Sequence, residues 1–353
     1  MRVGFDAKKA VRNCTGIGNY SRRCIRAVEQ EGIDVRLFYG RQPIWGEVWR
    51  NLLQWWSVRR SHVDVYHGLS NELPFGIQWS GVKSVVTIHD LIFLRFPETY
   101  GWLQRQILKL KTRYACRVAD RIVAVSEMTR QDIIRFYEVN PARIEVIYQS
   151  IDDIFRQSLS VDELNVVRQR YGLPNCFVLC VGTIQTRKNQ HTLVKALPLL
   201  PDDIHLVLVG REESYATLVR QTADILGVSS RVHIYNDVPT EDLPAFYQLA
   251  FVFACLSHFE GFGIPIAEAL ASGTPVIGAT GSCLEEAGGS DSIYICPDDY
   301  QELAHVVAEL LNSPERVRQM AKFGRRYAAR FTDQQLGKHL LSTYHELLNH
   351  SLG

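Results

Sequence analysis

Two runs, Phe177-Val178-Leu179-Cys180-Val181 and His205-Leu206-Val207-Leu208-Val209, are apolar at nearly every position. A strand wetted on one face alternates polar with apolar residues. An unbroken run implies a strand covered on both faces, the condition of a parallel sheet flanked by helices. Parallel neighbours need a crossover, so helical segments must separate such runs. Val3-Gly4-Phe5, Val35-Arg36-Leu37-Phe38, Val63-Asp64-Val65-Tyr66, Ser84-Val85-Val86-Thr87-Ile88, Arg121-Ile122-Val123-Ala124-Val125 and Ile144-Glu145-Val146-Ile147-Tyr148 read as further strands. Helical patterns over 20–31, 100–119 and 127–137 lie among them. After a polar interval at 149–160 the alternation restarts, and Val232-His233-Ile234, Phe251-Val252-Phe253-Ala254-Cys255 and Pro275-Val276-Ile277 extend it.

At 353 residues the chain exceeds one ordinary core. The pattern predicts an α/β protein of two doubly wound, Rossmann-like domains, with a ligand cleft at the carboxyl ends of their strands. Residues 1–155 are expected to form the first domain, 156–332 the second, and 333–353 a closing helix. In that helix Leu336, Leu340, Leu341, Tyr344, Leu347 and Leu348 share one face.

Charge is distributed unevenly. Residues 1–150 carry 23 Lys and Arg against 14 Asp and Glu, while the remainder carries 16 against 24. A basic half implies an anionic surface or substrate. Nucleic acid would suit it, but no helix-turn-helix, RNA-binding signature or basic tail accompanies the charge. No apolar run is long enough to span a bilayer. Met1 to Asp6 reads as a strand rather than a signal peptide. The eight cysteines form no Cys-x-x-Cys pair, and several fall within strand patterns. Buried reduced thiols in a cytoplasmic protein are therefore expected. From 99 to 119 there is no acidic residue, and Arg105, Lys109, Arg113 and Arg117 are spaced by four along one helix face. Trp45, Trp49, Trp55 and Trp56 cluster upstream. Two readings stand: a core helix with a solvated basic face, or a surface that meets an anionic inner leaflet.

The chemistry-bearing residues fall where strands give way to helices. After the run 251–255 come Glu260, Gly261, Phe262, Gly263, Ile264, Pro265 and Glu268, and the helical pattern stops at Gly273. Glycine at 261 and 263 permits a tight turn, and proline suits a first helical turn. A strand, a glycine turn and a helix N-terminus together favour an anion. The two carboxylates could accept from paired sugar or ribose hydroxyls. Gly182, Thr183, Arg187 and Lys188 follow another strand, where Arg187 and Lys188 bring two cations to a helix start and call for an anion between them. Gly16 and Gly18 follow the first strand; a dinucleotide fingerprint would need a third glycine at Ser21, so a nicotinamide cofactor is disfavoured. His89 ends a strand, with Asp90 able to orient its ring or to cap the next turn. Ser126 and Glu127 fit an N-cap. The aspartate pairs are adjacent rather than Asp-x-Asp, so no essential metal is expected.

Glu260 and Glu268, with seven residues between them, together with Ala271-Ser272-Gly273-Thr274-Pro275-Val276-Ile277, resemble the signature of retaining glycosyltransferase family 4. The resemblance implies the GT-B fold and metal-independent hexosyl transfer without a cofactor. It implies a nucleotide-diphosphate sugar as donor and a glycan or polyprenyl-diphosphate-linked acceptor. By the same resemblance, Gly16 and Gly18 lie over the donor pyrophosphate and His89 lies near the reacting carbon. Lys188 meets the diphosphate, Glu260 the sugar hydroxyls and Glu268 the ribose. Asn236, Asp237 and Val238 lie near the base, and Ser126-Glu127 and Glu285-Glu286 match lesser family segments. The family usually has Gly-Arg and, a short spacer later, Lys; Lys188 matches that Lys, Thr183 replaces the Arg, and Arg187 is a candidate to take over its role. Arg187-Lys188-Asn189 resembles a subset of bacterial mannosyl- and deoxyhexosyltransferases. Mannose from GDP-mannose and surface polysaccharide synthesis, lipopolysaccharide or exopolysaccharide, are therefore favoured. A nucleotide-sugar epimerase and a catalytically silent binding subunit of the same fold are the alternatives.

Overall fold

A computed structural model describes residues 1–12, 16–39 and 53–349. The chain divides into two compact units. One comprises Met1–Ser150 with Phe331–Gly353, and the other Ile151–Arg330.

The first unit holds a sheet of β1 (Arg2–Asp6), β2 (Asp34–Phe38), β3 (Val65–Gly68), β4 (Lys83–Ile88), β5 (Arg121–Ala124) and β6 (Ile144–Val146). Their order is β2-β1-β3-β4-β5-β6, and every pair is parallel. Successive side chains point to opposite faces, and both faces are covered. Val3, Phe5, Val65, Val85 and Val123 pack with Leu336, Leu340, Tyr344 and Leu347 of the helix Asp333–Asn349. On the other face Tyr66, Val86, Ile88, Ile122 and Ala124 pack with Ala115, Cys116 and Ile133. This two-sided burial is why these strands read as apolar runs. The helix Asp333–Asn349 lies against the helix Gly16–Gln30, and its first residue, Asp333, accepts from Ser150 Oγ (2.6 Å) and Arg23 (3.2 Å).

Element boundaries differ from the sequence reading in places. Helix Gly16–Gln30 begins four residues before Tyr20, so Gly16 and Gly18 occupy its first turn rather than a loop. The third strand runs Val65–Gly68 rather than from Val63; ahead of it the Asp64 amide donates to the Arg2 carbonyl at 2.9 Å and the Asp64 carboxylate accepts from the Arg2 amide at 2.7 Å.

The second unit repeats the plan with β7 (Cys176–Val181), β8 (Ile204–Val209), β9 (Val232–Tyr235), β10 (Val252–Cys255), β11 (Val276–Ala279) and β12 (Ile293–Ile295). The order is β12-β11-β10-β7-β8-β9, again all parallel. From β7 the chain winds outward through β8 and β9, then returns to place β10 on the other side. The reversal lies between β7 and β10. In such sheets the loops leaving the two central strands diverge and leave a crevice for a ligand.

Candidate active site

Lys188 follows β7 and Glu260 follows β10, so the switch point brings them together. Lys188 Nζ lies 2.6 Å from Glu260 Oε1, and Arg187 Nη1 lies 3.0 Å from Glu260 Oε2. Arg187 also donates to the Phe259 carbonyl. The His258 amide donates to the Arg187 carbonyl at 2.9 Å, which laces the two loops directly. Both cations sit in a 3₁₀ turn, Thr186–Lys188, ahead of the helix Gln190–Ala196 rather than on it. Asn189, which joins that turn to the helix, takes the left-handed conformation (φ 56°), and its side-chain amide donates to the Pro297 carbonyl at 2.7 Å.

All three charged groups are nearly buried, with side chains 10 to 14% exposed. Burial pushes the Glu260 carboxyl up, but Lys188 and then Arg187 outweigh it, and its pKa falls to about 2. Burial likewise opposes charge on Lys188, and Glu260 overcomes it to raise that pKa. The anion expected between the two cations is thus, in this structure, a carboxylate of the protein itself. Three unit charges leave the cluster one positive charge in excess. Gly182 is needed beside it: φ is 133°, and a Cβ there would stand 3.1 Å from Lys188 Cε and Nζ. Thr183, in the same turn, accepts from Gln190 Nε2 through its carbonyl at 3.1 Å.

The glycine turn after β10 is built as its residues require. Gly263 has φ 104°, and a Cβ there would lie 2.8 Å from Leu284 Cδ2. Helix Ile264–Ser272 starts next, with Pro265 in its first turn, and stops at Gly273 (φ 80°). Phe262 is buried, while Gly261 and Ile264 are half-buried. Glu268 stands half-buried on this helix, and Tyr247 Oη donates to its Oε2 at 2.9 Å.

His89 belongs to the first unit. Its Nε2 lies 2.9 Å from the Leu69 carbonyl, which must receive an N–H. Nδ1 is therefore the acceptor nitrogen of a neutral ring. Burial lowers the His89 pKa to about 4, against the hydrogen bond to Leu69. The Tyr20 ring packs edge-on against it at 4.7 Å. The Asp90 carboxylate accepts from the Ile92 amide at 3.1 Å, at the start of the next turn.

Residues 15–154 match the family model described as Glycosyltransferase Family 4, and residues 168–327 match that of Glycosyl transferases group 1. The chain is a family 4 glycosyltransferase. It is 28% identical to the O-antigen chain mannosyltransferase B of Escherichia coli, over 88% of this chain and 91% of that protein. It is 31% identical to a D-inositol 3-phosphate glycosyltransferase of Xylanimonas cellulosilytica, over 64% of this chain and 57% of that one. Among solved structures it resembles Anabaena Alr3699/HepE in complex with UDP, with a TM-score of 0.76, 20% identity, and 98% and 99% of the two chains covered. The fold is the two-domain α/β GT-B fold.

Within this glycosyltransferase the remaining expected residues are spread more widely. Val238 is half-buried in the loop after β9, beside exposed Asn236 and Asp237, and Asn236 is tied to Glu212 at 2.9 Å. Ser126 caps the helix Glu127–Tyr137 by accepting from the Thr129 amide. Glu285 accepts from the Gly281 amide at 3.1 Å. Gly16 and Gly18 lie with His89 in the first unit, and Gly16 is exposed at its helix start. Among the described residues no three His, Cys, Asp or Glu side chains form a group that could hold a metal ion. Cys24, Cys116, Cys180, Cys255 and Cys283 are buried free thiols, while Cys296 is exposed; Cys14 lies outside the described residues. Sequence reasoning missed Asn71, which accepts from the His89 amide at 2.7 Å, as well as Leu69 and Tyr247. Only the positive-φ preference of asparagine could have pointed to Asn71 (φ 61°).

Proposed function

We propose that this glycosyltransferase moves a hexosyl group, with retention and without a metal, from a nucleotide-diphosphate sugar to a glycan or polyprenyl-diphosphate-linked acceptor. GDP-mannose is the favoured donor and bacterial surface polysaccharide the product. The observation that carries the reading is the pairing of Arg187 and Lys188 with Glu260 at the switch point. A diphosphate brings more negative charge than one carboxylate and would compete for both cations. The released Glu260 would then accept sugar hydroxyls. Fixed cations placed where charge develops on the leaving group are the usual means of lowering such a barrier.

In the reaction the bond from the sugar's anomeric carbon to the phosphate oxygen breaks. The bond to the acceptor oxygen forms on the same face. The acceptor's proton passes to the departing phosphate. His89 takes part as a neutral ring whose Nδ1 accepts a sugar hydroxyl. Glu268 holds the ribose, Gly16 and Gly18 stand near the pyrophosphate, and Val238 near the base. The similarity to an O-antigen mannosyltransferase over most of both chains supports the choice of sugar and product. The inositol-phosphate relative keeps the acceptor open to test. The basic helix Trp102–Val118 supports a peripheral position on the inner face of the cytoplasmic membrane.

The test is incubation of the purified protein with labelled GDP-mannose, UDP-glucose and dTDP-rhamnose, with and without a polyprenyl-diphosphate-linked glycan. Label should move to the glycan, from one donor, only when acceptor is present. A new free nucleotide sugar formed without acceptor would point to an epimerase. Binding without conversion would point to a silent subunit.

A further inference from the structure

We propose that Tyr247 is a positioning residue for the nucleotide end of the donor, acting through Glu268. The inference rests on the reading of Glu268 as the ribose carboxylate and adds the group that aims it.

Tyr247 lies on the helix Leu243–Leu249 and is fully buried. Its Oη donates to Glu268 Oε2 at 2.9 Å. The ring is held on two sides, edge-on by Phe155 (5.6 Å, 81°) and tilted against Phe253 (5.5 Å). Thr274 Oγ1 donates to the Tyr247 carbonyl at 2.6 Å, which pins the backbone of the same residue. The phenol therefore has one place to be. Burial and the adjacent carboxylate both keep its proton on, so it remains a donor at every working pH.

The side chain it holds is of the opposite kind. Glutamate has three rotatable bonds, and Glu268 is half-buried in the middle of its helix. An unheld carboxylate there would sample several rotamers, and binding would have to stop that motion. A carboxylate accepts at about four lone-pair positions, and the phenol occupies only one on Oε2. The bond gives the carboxylate a fixed direction on its Oε2 side. A tyrosine used only to join two helices would find a backbone carbonyl sufficient. Here the partner is the second carboxylate of the Glu-x7-Glu pair.

The experiment uses the full chain carrying Tyr247→Phe, which keeps both ring contacts and removes one oxygen. Calorimetry is run with GDP and UDP, and with their 2′,3′-dideoxy counterparts. Affinity for the ribonucleotide that binds should fall about three- to tenfold, the cost of ordering one freed side chain. Affinity for the dideoxy form should not change. In the Glu268→Ala background the substitution should have no further effect, and in turnover KM for the donor should rise with kcat nearly constant. An equal loss for ribo and dideoxy forms, no loss for either, or a Tyr247→Phe chain that does not fold would each overturn the inference and leave a structural staple. A different failure marks the underlying reading: if Glu268→Ala alone leaves GDP and UDP affinity intact, Glu268 does not hold the ribose, whatever Tyr247 does.

Discussion

Tyr344 Oη lies 2.7 Å from His67 Nδ1, although 277 residues separate them in the chain. His67 Nε2 lies 2.9 Å from Thr87 Oγ1, and Thr87 Oγ1 lies 3.1 Å from Tyr20 Oη. All four side chains are buried. The chain of hydrogen bonds joins the helix Asp333–Asn349 to β3, β4 and the helix Gly16–Gln30, and it ends at the ring that packs on His89. Satisfied buried polar groups specify one arrangement of the elements they link, because a broken link leaves an unpaired group in the core.

A pH dependence follows. Burial, and after it the neighbouring His89, lowers the His67 pKa to about 3, and burial lowers that of His89 to about 4. Their ordinary value is 6.5. Between pH 6.5 and about 4 the unfolded chain binds protons that the folded chain refuses. The stability of the first unit should therefore fall as pH drops through that window, by roughly 1.4 kcal/mol per pH unit for each imidazole, and should not respond to these groups above pH 7. Hydrogen exchange at the β4 amides, measured from pH 7.5 to 4, reads it. Replacing His67 by Asn should lower stability and also flatten the slope by one group. A slope unchanged by His67→Asn would mean that this imidazole does not titrate between the two states.

Lys188→Ala should cut turnover by about a hundredfold or more, the scale for removing one fixed group from a developing charge. The fold should survive, since Arg187 still holds Glu260 at 3.0 Å. Steady-state rates on the donor identified by labelling, beside a thermal melt, decide it. Near-normal turnover in a folded variant would remove Lys188 from the machinery.

Glu268→Gln keeps shape and loses charge. Affinity for the free nucleoside diphosphate should weaken by ~1–3 kcal/mol, the scale of a charge-assisted hydrogen bond. Titration calorimetry with GDP and UDP measures it. Unchanged affinity for both would reject the ribose role.

The sheets were legible because parallel strands are covered on both faces. Val85 and Val86 point to opposite sides of β4 and both are buried, so the sequence shows no alternation there. The glycine turn at 261–263 was legible because Gly263 meets two constraints at once, a positive φ and a Leu284 side chain standing where a Cβ would reach. Less of the site could be read. Glu260 and Lys188 were each identified, but their direct pairing depends on β10 lying next to β7, a consequence of sheet order and not of spacing along the chain. Tyr247 sits in Leu243-Pro244-Ala245-Phe246-Tyr247-Gln248-Leu249, where a tyrosine and a phenylalanine look alike until the partner of the hydroxyl is known. His67 falls in a short fully buried strand, and nothing local announces a tyrosine from the far end of the chain.

The helix Trp102–Val118 turns Thr112, Ala115 and Cys116 inward and leaves large apolar groups outside. Trp102 is 71% exposed, Leu103 64%, Ile107 46% and Leu110 65%. Lys109, Arg113 and Arg117 are exposed too, whereas Arg105 is half-buried. Upstream, Trp55 and Trp56 fall among the described residues and Trp45 and Trp49 outside them; Trp79, 64% exposed, meets Trp55 edge-on at 5.9 Å. Leu103, Ile107 and Leu110 are spaced at three and four residues, so they form one stripe that runs on into the cations. No helix among the described residues is long and apolar enough to cross a membrane, and this one would lie along a surface instead. Each cation near an anionic leaflet contributes about 1 kcal/mol, which salt removes; buried apolar area is not screened. Liposomes containing anionic lipid should therefore pull the protein down at low salt, and high salt should release most of it. Lys109→Gln, Arg113→Gln and Arg117→Gln together should abolish the salt-sensitive part. Leu103→Ser, Ile107→Ser and Leu110→Ser together should abolish the remainder. Both variants should keep their activity on a soluble acceptor mimic. If the parent protein stays in the supernatant at low salt, the helix is a solvated face and the acceptor is reached from solution.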